Sequence, residues 1–157
     1  MKSSFTLSKI DNCKIILKDY KNKIKEILDI MLNKEELFSS CVFSEDISKI
    51  RFDVSFCNDE SIHKINKEYR QKDCPTDVIT FSLFCDDSSS IIYRKTADLG
   101  QIIVSVETAD RQKKETLEKE ILTLIIHGIL HLFGFDHLTK KDYDFVVRMQ
   151  NEIIEEL

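Results

Sequence analysis

The sequence contains few of the residues that interrupt or subdivide a chain. Only one proline and three glycines occur among its 157 residues, and no repeat or Gly/Ser-rich tract marks a linker. The length suits one hydrophobic core, so separate domains are not expected. We predict a single domain spanning residues 1–157.

Paired cysteine motifs and long apolar runs are also lacking. The five cysteines are scattered, odd in number and never spaced as C-x-x-C, which argues against a disulfide framework or a cysteine-bound zinc. The N-terminal residues lack the apolar run of a signal peptide. The longest apolar segment, residues 121–135, includes two histidines and is shorter than the roughly 20 residues that span a bilayer. We therefore expect a cytoplasmic protein with no membrane partner.

The net charge of −5 disfavours nucleic-acid binding unless basic residues cluster locally. Three such sets occur: Lys14, Lys18, Lys21 and Lys25; Lys64, Lys67, Arg70 and Lys72; and Arg111, Lys113 and Lys114. We interpret each set as a solvated face, but two sets that lined one groove could guide a phosphate backbone. No aromatic-rich stacking platform is evident, so we do not expect this chain alone to read an RNA sequence tightly.

Helical and strand patterns alternate along the chain without strict regularity. Alternating or β-branched residues predict strands at 51–57, 77–84 and 99–106, with an exposed loop or hairpin between the last two. Three- and four-residue apolar spacings predict helices over 12–32, from Asn58 or Asp59 to before Pro75, near Glu107, over 118–133, and from Thr139. We predict a mixed α/β (α+β) fold in which about four strands pack with five to six helices around a buried central helix.

The same spacings predict which side chains face the core. For the first helix they are Ile16, Tyr20, Ile24, Ile27 and Met31; for the second, Ile62, Ile65 and Tyr69; for the last, Tyr143, Val146, Met149 and Ile153.

Three of the four histidines lie within residues 127–137, HGILHLFGFDH. His127 and His131 are four residues apart, so on a helix their rings leave the same face and can meet one metal ion. On an unbroken helix, His137 would lie about 15 Å beyond His127. The helix must therefore end before His137, and Gly134 is the residue that most readily ends it.

With the helix ended, His137 can return as a third ligand. Three neutral imidazoles leave one position of a zinc ion open to water, as in catalytic zinc sites. Apolar surroundings favour the neutral, metal-binding form of histidine. We predict one zinc ion per chain at His127, His131 and His137, although imidazole also suits nickel, copper and iron. His63 lies outside the cluster, and we interpret it as solvent-exposed.

Metzincin proteases share this spacing in the pattern H-E-x-x-H-x-x-G-x-x-H, where the glutamate is the general base. Gly128 stands at the glutamate position here, which weakens a protease interpretation. Asp136 could act as a base or orient a ligand. It could equally do no more than support the turn.

The segment HGILHLFGFDH resembles the H-G-x-L-H-L-x-G-x-D-H signature of the YbeY family of bacterial endoribonucleases. Two upstream stretches are similar to that family as well: INKEYRQKDCPTDVITFS and LGQIIVSVETADRQ. The matches run in order from about residue 52 to 137, and the first fifty residues agree only in general character.

The resemblance implies a zinc-dependent, single-strand-directed RNA hydrolase that acts in 3′-end maturation of small-subunit rRNA and in ribosome quality control. RNA and the ribosome, or proteins associated with it, would be its partners. His127, His131 and His137 take the metal positions, and Arg70 takes the place of an arginine important for activity. A guanidinium there would stabilise a phosphorane-like transition state. Gln101 stands where the family usually has aspartate, which puts that carboxylate's role in doubt.

Two alternatives stay open on the sequence alone. Another metallohydrolase, such as a peptidase, would share the histidine spacing. A non-catalytic ribosome assembly factor would use the metal only to stabilise its fold.

Overall fold

A mixed β-sheet forms the centre of the computed structural model, which describes residues 1–40, 47–83, 92–93 and 95–157. Within these residues the sheet has five strands: β1 Lys2–Lys9, β2 Lys49–Cys57, β3 Val78–Ser82, β4 Ile92–Tyr93 and β5 Thr96–Ser105. The strand order is β1-β2-β5-β3, and the short β4 pairs with the start of β5. β1, β2 and β5 are parallel, whereas β3 and β4 run antiparallel to β5.

Six helices occupy the described residues outside the sheet: α1 Leu17–Asn33, α2 Glu35–Ser40, α3 Asp59–Arg70, α4 Val106–Gln112, α5 Leu117–Leu132 and α6 Lys140–Glu156. Hydroxyl side chains cap three of them. The side chains of Ser105, Thr116 and Thr139 each accept a hydrogen bond from a backbone N–H in the first turn of α4, α5 and α6, which satisfies a donor that the helix leaves unpaired. The predicted start of the last helix at Thr139 is confirmed.

The main core lies between one face of the sheet and the helices α1, α5 and α6. The strand predicted at 51–57 is confirmed as part of β2, and its Phe52, Val54 and Phe56 are fully buried in this core. Its other face is exposed at Arg51 and Asp53 but buried at Ser55 and Cys57. A smaller cluster on the opposite face joins Ile62 of α3 to Ile79 and Ile103. Two helices therefore cover β3 from opposite faces, with α5 on the main core and α3 on the smaller cluster.

Gly100 permits a close approach between β5 and β3. It has a φ of +122°, and a Cβ there would lie 1.9 Å from the carbonyl oxygen of Phe81. The pairing of β2 with β5 shifts register at the same level, between Arg51 and Phe52. Only glycine fits such a position, since an L side chain would clash with the neighbouring backbone.

Several local predictions are wrong. The first helix begins at Leu17 rather than near residue 12, and Ile16, expected in the core, is 60% exposed. Tyr69 and Tyr143 were also expected in the core, yet they are 59% and 56% exposed. Neither β1 nor α2 was predicted.

Three expectations stay untested: the loop or hairpin after β3, the cytoplasmic location and the single domain. The predicted loop or hairpin after β3 lies partly outside the described residues, at 84–91 and 94. No described helix combines the length and apolar character needed to cross a bilayer. Cytoplasmic location and a single domain stay predictions.

Candidate metal centre

The three clustered histidines line one cleft of about 180 Å³. His127 and His131 project from successive turns of α5, and His137 follows the end of that helix. The ring centroid of His137 lies 4.9 Å from that of His127 and 6.3 Å from that of His131. The remaining lining comes from α3, β3 and the segment between them: Asn66, Arg70, Lys72, Thr76, Val78, Ile79 and Thr80.

The end of α5 brings His137 back to this cleft. Gly134 has a φ of +96°, and its N–H donates to the carbonyl of His131 at 3.0 Å. The N–H of Phe135 donates to the carbonyl of Leu130 at 3.1 Å. This pair of bonds around a left-handed glycine is the Schellman motif, which satisfies the last carbonyls of a helix and reverses the chain. The prediction that Gly134 ends the helix is confirmed.

The separation of two of the rings fits a shared ion. Three imidazole nitrogens at about 2.0–2.1 Å from one zinc ion would place the ring centroids roughly 5 Å apart, which matches the 4.9 Å between His127 and His137, whereas the 6.3 Å between His131 and His137 is longer. In the described part of the chain, however, no three His, Cys, Asp or Glu side chains already stand in a metal-holding arrangement. The orientation of each histidine ring can change more easily than its position. The χ2 torsion of histidine is broad, whereas α5 and the turn after it fix where the rings lie. Three imidazoles in one cleft are a donor set whose chemistry suits zinc.

His127 is held as a neutral ligand would be. Burial lowers its pKa from the ordinary value of 6.5, and the nearby His137 lowers it further. Its Nδ1 lies 3.2 Å from Oε1 of Gln150, a residue of α6. That contact leaves the other ring nitrogen, Nε2, for the cleft.

Arg70 is the last residue of α3 and lies in the cleft with the histidines. Its Nη2 donates to the carbonyl of Thr80 at 2.6 Å, and its guanidinium lies 5.8 Å from the ring centroid of Phe81. One amino group of Arg70 is therefore held by β3, and the remaining N–H groups of the guanidinium can bind an anion. The structure brings Arg70 and the three histidines together, as the sequence predicted.

Asn66 shapes the segment that carries Lys72 and was missed from the sequence. It is 4% exposed, although it lies on a helix. Its carbonyl accepts from the N–H of Lys72 at 3.2 Å, and its Nδ2 donates to the carbonyl of Cys74 at 2.8 Å. An asparagine one turn after the buried Ile62 is the signal that could have identified it, because a buried amide requires partners.

Asp136 accepts a hydrogen bond from the backbone N–H of His137 at 2.7 Å, through Oδ1. Among the described residues it does not belong to the cleft lining. This geometry favours support of the turn over direct action as a base.

Position 128 faces Ile102 of β5. A Cβ on Gly128 would meet three side-chain atoms of Ile102 at 2.8, 2.9 and 3.0 Å. A glutamate there would have to displace the Ile102 side chain, so this packing is matched to glycine rather than to the general base of the metzincin pattern.

Gln101 is not among the described residues that line the histidine cleft. It faces a separate groove with Tyr69 and Phe81, and its Nε2 donates to Oγ of Ser55 at 3.1 Å. The presence of glutamine where the family usually has aspartate therefore does not alter the described lining of the histidine cleft.

In the described residues the three basic sets contribute to different surfaces. Lys18 and Lys21 line a surface groove against β1. Arg70 and Lys72 of the second set line the histidine cleft. The other two members of that set form ion pairs, Lys64 with Glu60 and Lys67 with Asp73. In the third set Arg111 pairs with Asp59 and Lys113 with Asp110. His63 is partly exposed and also pairs with Asp73, at 2.7 Å.

Comparison with known proteins identifies the family. A family model described as Endoribonuclease YbeY matches residues 7–157. Endoribonuclease YbeY of Oceanobacillus iheyensis is 36% identical, with 93% of each chain covered. The protein of the same name from Bacillus thuringiensis is 33% identical, with 97% of this chain and 96% of the relative covered.

The fold is also found among solved structures. The solution structure of TM1509 from Thermotoga maritima matches with a TM-score of 0.60 and 27% sequence identity. The match covers 98% of this chain and 88% of that one. The mixed α/β architecture is thereby confirmed.

Proposed function

Because the chain belongs to the Endoribonuclease YbeY family, we propose that it is a zinc-dependent endoribonuclease directed at single-stranded RNA. It acts in 3′-end maturation of 16S rRNA, the small-subunit rRNA, and in ribosome quality control, with the ribosome or ribosome-associated proteins as partners. The observation that carries this proposal is the cleft that joins three histidines to Arg70. One zinc ion per chain is held by His127, His131 and His137.

The protein's own residues prepare the cleft for a phosphodiester. When bound, a zinc ion supplies Lewis acidity at the phosphoryl group and lowers the pKa of water to about 7. Burial keeps His127 in the neutral form that ligation requires. No side chain has to act as a covalent nucleophile.

Arg70 binds and orients the phosphate. The hydrogen bond from Nη2 fixes the guanidinium against β3, so the guanidinium is positioned before the substrate binds. Charge that develops on the phosphoryl oxygens strengthens these bonds in the transition state. Lys72, on the rim of the same cleft, adds positive potential for the flanking backbone. Asp136 supports this arrangement through the turn that presents His137.

The site assignment is tested by a ligand variant and a matched histidine control. His131→Ala removes one imidazole from the cleft and should abolish bound zinc and RNA cleavage together. His63→Ala changes a histidine that pairs with Asp73 instead and should leave both unchanged. A pure His131→Ala preparation that cuts rRNA as fast as the parent would show the assignment to be wrong.

The peptidase alternative is opposed by Gly128, whose position faces Ile102. Incubation of the zinc-loaded protein with casein and with single-stranded RNA separates the two activities. We expect cleavage of RNA alone.

The assembly-factor alternative is tested by Arg70→Ala, which removes a phosphate ligand without touching the histidines. If catalysis is the function, this variant should keep its zinc, lose cleavage and fail to restore ribosome maturation in cells that lack the protein. Restored maturation by a zinc-loaded but inactive variant would favour the non-catalytic role.

A further inference from the structure

Gln150 is a polar residue on an apolar face of α6. It lies one turn after the buried Val146 and three residues before the buried Ile153, and it is itself partly buried. An amide removed from water is destabilising unless it is hydrogen-bonded. Its described partner is the ring of His127, 23 residues earlier in the chain.

The contact joins Oε1 of Gln150 to Nδ1 of His127 at 3.2 Å. An amide oxygen only accepts, so the ring must donate and carry its proton on Nδ1. The unprotonated nitrogen is then Nε2, which has the lone pair that a metal or a proton can use. An imidazole with the opposite tautomer would present an N–H to the cleft.

We propose that Gln150 is a positioning residue that fixes His127 in the Nδ1–H tautomer and orients its ring, so that Nε2 is available as a ligand in the cleft. The inference rests on the proposed zinc site for its purpose, and α6 thereby takes part in the active centre from outside the histidine motif. Partners of this kind on the remote nitrogen of a ligating histidine commonly change metal affinity about 10- to 100-fold.

The tautomer can be measured in the metal-free protein. Long-range proton–nitrogen NMR of the ¹⁵N-labelled chain, at alkaline pH where the imidazole is neutral, distinguishes a protonated Nδ1 from a protonated Nε2. The parent should show Nδ1–H for His127. Gln150→Leu removes the acceptor and should shift the ring toward the Nε2–H form, whereas Gln150→Glu keeps an acceptor and should preserve Nδ1–H.

Zinc affinity gives a second readout, by competition with a chromophoric chelator. Gln150→Leu should weaken Zn²⁺ binding about 10- to 100-fold, and Gln150→Glu should not weaken it. Asn151→Leu is the matched control, since this neighbour on α6 is exposed and should change neither the tautomer nor the affinity. If Gln150→Leu does not fold, Gln150→Asn tests the same contact with a side chain that is one methylene shorter.

The two proposals fail separately. An Nε2–H tautomer in the parent would overturn the role of Gln150. So would an unchanged tautomer and zinc affinity in both Gln150→Leu and Gln150→Asn. Absence of RNA cleavage by a parent protein that shows the expected tautomer and zinc response would instead overturn the proposed function.

Discussion

The close approach of α5 to β5 at Gly128 yields a sharp stability prediction. Gly128 is buried, and a methyl group there would fall 2.8 to 3.0 Å from three atoms of Ile102, which is fully buried. Gly128→Ala should therefore press α5 away from the sheet between the positions of His127 and His131.

The net effect follows from two opposing terms. Replacing glycine by alanine in a helix interior stabilises the helix by about 1 kcal/mol. Overpacking a well-filled core costs about 1 to 3 kcal/mol. Gly128→Ala should thus lower the free energy of unfolding by up to about 2 kcal/mol, and the loss should vanish when Ile102 is truncated.

A double-mutant cycle with Ile102→Ala measures this coupling. Ile102→Ala alone should cost about 2 to 5 kcal/mol, as cavities in a core do. In that background Gly128→Ala should become stabilising by about 1 kcal/mol, and urea unfolding followed by circular dichroism gives all four free energies. If Gly128→Ala stabilises both backgrounds equally, the helix and strand are not in close contact and the reasoning is refuted.

Three further predictions concern the cleft. Gly134→Ala should lower the free energy of unfolding by about 1 to 2 kcal/mol, because an L residue resists the left-handed conformation. It should also weaken zinc binding by displacing His137, and an unchanged zinc affinity in competition with a chelator would contradict this. Arg70→Ala should reduce RNA cleavage roughly 10²- to 10³-fold with zinc content retained, and an unchanged rate would remove Arg70 from the mechanism. Burial lowers the pKa of His127 below 6.5, so as the pH is lowered this histidine takes up its proton in the unfolded chain before it does so in the folded protein. The free energy of unfolding of the metal-free protein should therefore decrease at pH values below about 6.5. Urea titrations should show a shallower fall for His127→Gln, and identical slopes would contradict the assignment.

Much of the geometry of the candidate metal centre was predictable because its information is local. The i, i+4 spacing of His127 and His131 depends only on the helical repeat, and the conformation at Gly134 depends only on the absence of a Cβ. Arg70 was reached through a motif rather than through geometry. Its anchor on Thr80 is a contact between α3 and β3 that spacing alone does not reveal.

The missed features depend on packing between distant segments. β1 contains only Phe5 and Leu7 as apolar residues between serines and a threonine, because an edge strand with one solvated face needs few. Tyr69 lies at the end of α3, where the periodic pattern continues but the side chain is 59% exposed. Its ring meets the edge of the Phe81 ring at 5.4 Å between centroids. Gln150 is polar, and nothing within α6 indicates that a histidine ring lies opposite it.

The central claim, that three imidazoles share one zinc ion, is tested most directly by zinc K-edge X-ray absorption on the stoichiometrically loaded protein. The account predicts three imidazole nitrogens and one oxygen at about 2.0–2.1 Å, and no zinc retained by His131→Ala after the same loading. A sulfur shell near 2.3 Å, or a His131→Ala protein that retains zinc with three imidazoles, would contradict it.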